Sequence, residues 1–140
     1  MTFELFFNFN NGQALIAAEF YAKIFKSSVE NIMLYKDAPA DPNYPIPENE
    51  KDYLMYACVQ IADKKIMFMD MSASFQAKFG NNINPTINAK TREEVDYLFA
   101  ELSNDGQVFM APQKTFFSEY YAMVTDKFGI TWHILINESQ

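Results

Sequence analysis

The chain carries one imidazole and one thiol, His133 and Cys58, so acid–base or nucleophilic chemistry has few places to start. A single cysteine excludes an intramolecular disulfide, and one Cys with one His falls short of the ligand sets that structural zinc sites require. Cys58 reads as a small buried hydrophobe, because neither a second His nor a basic neighbour is present to draw its thiol toward thiolate. His133 has two readings: a satisfied structural side chain in a strand, or a general base and hydrogen-bonding anchor in a pocket. The four glycines, Gly12, Gly80, Gly106 and Gly129, stand too far apart for the turns that cradle dinucleotide or nucleotide phosphates. That spacing argues against Rossmann oxidoreductases, P-loop NTPases and the usual methyltransferase cofactor loop.

Composition narrows the class further. With 140 residues, 49% hydrophobic and 21% charged, the chain is one domain's worth with a real core, and too apolar for disorder. The net charge of -7 and the lack of a Lys/Arg cluster exclude nucleic acid as an expected partner, since that affinity rests on neutralising phosphates. Glu4 and Asn8 interrupt the opening apolar stretch and no basic residue precedes it, so the expectation is an unprocessed cytoplasmic protein. No run approaches the roughly 20 apolar residues of a membrane helix, and no membrane association is expected.

Elements that would position these residues follow from periodicity. Phe3 to Phe9 alternate as a half-buried strand, with Phe3, Phe7 and Phe9 assigned to the core. Asn11-Gly12 turns into a helix over Gln13 to Phe25, with Leu15, Ala18, Phe20 or Tyr21, Ile24 and Phe25 on its apolar side. Strands are predicted at Val29 to Tyr35, Tyr53 to Ile61 and Ile66 to Met71. Between the first two lies a proline-rich loop, Ala38 to Lys51, that is either a lid or interface segment or a plain surface excursion. The order then restarts. Thr86 to Asn88 is extended, and Thr91 with Glu94 forms a capping box for a helix bearing Val95, Leu98, Phe99 and Leu102. Strands follow at Gln107 to Ala111, Glu119 to Thr125 and Ile130 to Ile136. Two rounds of strand, helix and three strands give an α+β chain with modules at about 1–72 and 82–138.

Two segments are specific: Ala17-Ala18-Glu19-Phe20-Tyr21-Ala22-Lys23-Ile24-Phe25 and Asp126-Lys127-Phe128-Gly129-Ile130-Thr131-Trp132. With Met69-Asp70 and Val108-Phe109-Met110-Ala111-Pro112, they make a sequence that resembles the PhnB-like branch of the vicinal oxygen chelate superfamily. That superfamily includes glyoxalase I, bleomycin-resistance proteins and extradiol dioxygenases. The resemblance implies two βαβββ modules whose curved mixed sheets enclose a cavity, with helices on the other face. It also implies a homodimer. This chain departs from the pattern in having Tyr56 where a His is often found and Phe116-Phe117 where a Trp is usual.

Given that fold, strand parity sorts the faces. Trp132, Ile134 and Ile136 belong under a helix, and His133 points to the cavity. Phe6 and Asn8, Met67 and Met69, and Asn84, Thr86 and Asn88 join it, as do Tyr56, Cys58 and Tyr121. A catalytic His133 would need a partner from among Glu4, Tyr56 and Tyr121, and spacing does not choose one. The four metal spokes that the resemblance implies fall at Phe6, Met67, Thr86 and His133, of which only His133 is a good ligand. The expectation is therefore no complete metal site and no cofactor. The expected function is binding of a small, partly apolar organic ligand by Phe6, Asn8, Tyr56, Met67, Thr86, Tyr121 and His133. The alternative is a metal-dependent lyase, isomerase or dioxygenase of the glyoxalase type.

Overall fold

The structure, a computed structural model, describes residues 1–137. It contains β1 (Phe6–Phe9), α1 (Ala14–Ile24), β2 (Val29–Leu34), β3 (Leu54–Ile61), β4 (Lys64–Asp70), β5 (Thr86–Ala89), α2 (Arg92–Ser103), β6 (Gln107–Gln113), β7 (Tyr121–Thr125) and β8 (Thr131–Ile136). The chain divides into two compact units, residues Met1–Ala77 and a second that begins at Lys78. The expected end of the second module, residue 138, lies outside the described residues. Each unit holds one four-stranded sheet, ordered β1-β4-β3-β2 and β5-β8-β7-β6, so the two are topological copies. Each is a βαβββ module, and the chain is α+β as the periodicity predicts.

In the first unit α1 buries Ala14, Ala17, Ala18, Tyr21, Ala22 and Ile24 against β1, β3 and β4. The small residues let the helix approach the sheet closely, and Tyr21 rather than Phe20 is the buried aromatic. Its ring packs edge-on against Phe7 and tilted on Phe68. Phe7, Phe9, Ala57, Val59 and Phe68 complete this core. The first strand is shorter than its alternation predicts. β1 is an edge strand whose pairing with β4 begins at Phe6, so Phe3 lies upstream of the sheet and is exposed rather than in the core.

The α1 N-terminus has no local side-chain cap. Its first amide, of Ala14, donates to Asp70 Oδ1 at 2.9 Å, while Asp70 Oδ2 accepts the Leu54 amide at 2.8 Å. One carboxylate thus ties helix, β3 and β4 together, and burial pushes that carboxyl above its ordinary value against the lowering effect of those amides.

In the second unit Val95, Leu98 and Leu102 of α2 face Trp132, Ile134, Ala122 and Val124, with Phe99 half-buried. Thr91 Oγ1 accepts the Glu94 amide at 3.1 Å as the capping box requires, but Glu94 reaches back to the Lys90 amide at 3.0 Å rather than to that of Thr91. Gly129 turns the chain from β7 to β8 at φ +95°, a conformation that side chains rarely adopt, and an added Cβ would lie 2.9 Å from the Phe79 ring. Among the described residues no helix is long and apolar enough to cross a membrane.

Candidate functional site

The open face of each sheet, opposite its helix, carries the residues singled out by parity. In the first unit β1 and β4 run parallel with Phe6 level with Met67 and Asn8 level with Met69. In the second, β5 and β8 run parallel with Thr86 level with His133. The pairs occupy matching places in the two modules, and the backbone repeats the match: Met67 N–H donates to the Leu5 carbonyl, His133 N–H to the Pro85 carbonyl.

The first unit's face is apolar with polar tips. Phe6 is 46% exposed and meets Tyr56 edge to face, ring centroids 6.2 Å apart. Met67 lies buried beside it, level with Cys58 on β3. The Cys58 thiol is buried and accepts the Asn31 side-chain amide at 3.5 Å. Burial pushes the Tyr56 phenol above its ordinary value, with Cys58 and Glu4 reinforcing the shift. Asn8 stands out, because its side-chain oxygen is buried with no hydrogen-bond partner among the described residues. Such an orphaned acceptor loses its hydration without recompense.

The second unit's face is polar around one histidine. Asn84 donates from Nδ2 to the Thr131 carbonyl at 3.2 Å, which turns its Oδ1 toward His133 Nε2, 3.0 Å away. Nε2 must then carry the hydrogen, leaving the Nδ1 lone pair to accept the Tyr121 hydroxyl proton. Of the three candidate partners for His133 within the chain, Tyr121 is the one bonded to it. Burial pushes the Tyr121 phenol up, so it acts as a donor here and resists becoming a phenolate. Phe117 closes the other side of Tyr121, edge to face at 5.0 Å. Thr86 spends its hydroxyl on the Asn84 carbonyl at 3.2 Å.

Donor chemistry at the four spoke positions does not fit a divalent cation. Phe6 has no lone pair to offer, Met67 offers a soft thioether, Thr86 is hydrogen-bonded locally, and the free nitrogen of His133 is taken by Tyr121. Among the described residues no group of three or more His, Cys, Asp or Glu is placed to hold a metal ion.

Sequence reasoning set Asn84 on this face but missed that it sets the His133 tautomer. It also missed the purpose of the two aspartates inside the motifs. Asp70 caps α1, and Asp126 Oδ1 accepts the Phe128 amide at 2.9 Å and the Ile130 amide at 3.2 Å while Oδ2 takes the Trp132 indole N–H at 2.8 Å. Each ties together elements of its own module.

Residues 1–135 match the family profile described as 3-demethylubiquinone-9 3-methyltransferase. Over 87 residues, 62% of this chain, the sequence is 32% identical to protein YjdN of Escherichia coli (strain K12), a match that spans 58% of that protein's length. Protein PA1353 from Pseudomonas aeruginosa has the same fold at a TM-score of 0.81 and 22% identity, over 97% of this chain and 98% of its own. A putative 3-demethylubiquinone-9 3-methyltransferase, PhnB protein, from Bacillus cereus follows at 0.75 and 24%, over 97% and 99%. A glyoxalase/bleomycin resistance protein/dioxygenase family enzyme from Burkholderia phytofirmans PsJN superposes at 0.57 and 15%, over 92% and 94%. With the profile matched almost end to end on a doubled βαβββ fold shared with the PhnB protein and the glyoxalase/bleomycin resistance protein/dioxygenase family enzyme, the chain belongs to the 3-demethylubiquinone-9 3-methyltransferase family.

Proposed function

We propose that this protein binds a small, partly apolar organic ligand on the open faces of its sheets, without a metal ion. The observation that carries this reading is the state of the spoke positions. Phe6 and Met67 replace donors with apolar surface, and His133 has both nitrogens hydrogen-bonded. Aromatic and thioether side chains favour a flat or aromatic body, and thioethers adapt to its shape. A ligand N–H or O–H is the partner that the Asn8 oxygen lacks. His133 serves as an oriented anchor: both ring nitrogens are hydrogen-bonded, so a base role would first require it to release the Tyr121 hydroxyl.

A homodimer accompanies this reading. β6 ends its sheet with Val108 and Phe109 half exposed, and an apolar edge of this kind calls for cover by a second copy.

Methyl transfer, the activity in the family's description, finds no support in the chain's glycine pattern, and a glyoxalase-type metalloenzyme finds none in its spokes. Thermal unfolding against a panel of aromatic and apolar metabolites tests the proposal, since a ligand of the native state raises stability by mass action. The expected outcome is stabilisation by a subset of the panel that is the same with and without a chelator. Stoichiometric metal whose removal abolishes activity, or stabilisation by S-adenosylmethionine alone, would overturn it.

A further inference from the structure

The first unit has a cavity that shares no residue with the open face. The long proline-rich segment between β2 and β3 folds over a pocket of about 380 Å³, whose walls include Tyr35, Tyr44, Pro45, Pro47, Glu50 and Ser72. Glu50 is 4% exposed. Its Oε1 accepts the Ala73 amide at 2.6 Å and the Ser72 hydroxyl at 3.1 Å, whereas the contact of Oε2 is that same hydroxyl at 3.4 Å. A hydroxyl proton shared between the two oxygens, with the longer contact to Oε2, leaves Oε2 with unspent acceptor capacity.

Carboxylates this deeply buried are normally paired with a cation. The nearby lysines are engaged elsewhere: Lys51 with Glu48 at 2.6 Å, Lys36 with Asp52 at 2.9 Å. Among the described residues no Lys, Arg or His lies within 4.0 Å of the Glu50 carboxylate. The remaining wall is organic in character. Tyr35 turns its hydroxyl away to the Asp70 carbonyl at 2.7 Å, and Tyr44, 78% exposed, stands at the rim. Burial raises the Tyr35 phenol, and the Asp70 and Glu50 carboxylates push it further, as a negative site would.

We propose that this pocket binds a small organic ammonium ion, with the Glu50 carboxylate as its counter-ion and the tyrosines and prolines around its apolar body. A single carboxylate is too few hard ligands for a divalent metal, while aromatic faces beside an anion suit an alkyl or aryl ammonium group.

Titration of the full-length protein with benzylamine, followed by backbone amide NMR, tests this. Saturable shifts are expected at Tyr44, Ala73 and Ser74, with benzyl alcohol and benzoate binding far more weakly. Glu50→Gln should weaken benzylamine about tenfold, the worth of a charge-assisted hydrogen bond. Because that change also touches the 72–74 turn, Tyr44→Ala gives a second reading from an exposed position and should weaken binding several-fold without altering the fold. Equal affinity for benzyl alcohol, shifts that never saturate, or wild-type affinity in Tyr44→Ala or in a folded Glu50→Gln would overturn the proposal. The open-face reading stands apart from it, since none of these changes touches Phe6, Tyr56, Met67 or Asn8.

Discussion

Asp126 and Trp132 are joined by a buried hydrogen bond, the indole N–H donating to Oδ2 at 2.8 Å, and that bond locks the β7–β8 hairpin from which His133 projects. Asp126→Ala would take this acceptor from the buried indole and from two part-buried backbone amides. The expected loss is about 3 kcal/mol in chemical denaturation, the scale for stranding several buried or part-buried donors. Asp126→Asn retains one acceptor and should lose roughly half as much by the same reasoning. A loss below the error of the measurement for the Ala variant would mean that the hairpin does not depend on this carboxylate.

Asp70 predicts a pH dependence of the opposite sense to the usual salt-bridged carboxylate. Its folded value is raised by burial, so as pH rises past its ordinary 3.8 the unfolded chain gives up this proton first. Within the window from 3.8 up to the folded value, the unfolded state binds fewer protons and stability falls with rising pH. Below the window the contribution is fully present, and above it the curve is flat. The difference between wild type and Asp70→Asn, measured by urea unfolding across that range, should therefore decline and then level off. A difference that grows with pH would show that the Ala14 and Leu54 amides outweigh burial.

Much of this architecture was legible in residue order because period-2 and helical spacing report burial directly. Phe7 and Phe9 against Asn8, and Trp132 and Ile134 against His133, sort themselves by alternation alone. Phe3 broke the pattern because alternation cannot tell where a neighbouring strand begins. The aspartates were illegible for a different reason: Asp70 acts 56 residues from Ala14, and such long-range capping leaves no periodic trace. The choice of Tyr121 for His133 was equally hidden. It depends on the antiparallel register that sets Tyr121 level with Leu135 and Met123 with His133, which spacing within one strand does not contain.

That Tyr121–His133 contact makes a spectroscopic prediction. With Asn84 fixing the hydrogen on Nε2, nitrogen shifts of His133 in mildly alkaline solution should report the Nε2–H tautomer. Tyr121→Phe removes the proton that Nδ1 accepts, so the tautomer should remain while the Nδ1 resonance moves toward that of a free imidazole lone pair. If His133 is an anchor for the ligand, His133→Gln should weaken the ligand found by thermal shift about tenfold, by loss of an oriented hydrogen bond. Unchanged affinity would return His133 to a structural role.

The register of Phe6 against Met67 can be tested by restoring what these positions lack. Neighbouring strands lie about 4.8 Å apart, so two imidazoles level with one another on parallel β1 and β4 are close enough to share one ion. The double variant Phe6→His, Met67→His is expected to bind Zn²⁺ or Ni²⁺ through the paired rings, and calorimetry of the wild type to give no such isotherm. Phe6 is half exposed and should accept the change readily, whereas Met67 is buried and its replacement costs about 2 kcal/mol of packing. Bound metal should offset that cost, so the signature is a variant less stable than wild type with chelator and recovering with metal. Single variants supply one ring each and should bind far more weakly. Equal binding by the singles and the double would mean that the two positions are not level, and the correspondence between Phe6–Met67 and Thr86–His133 would fail with it.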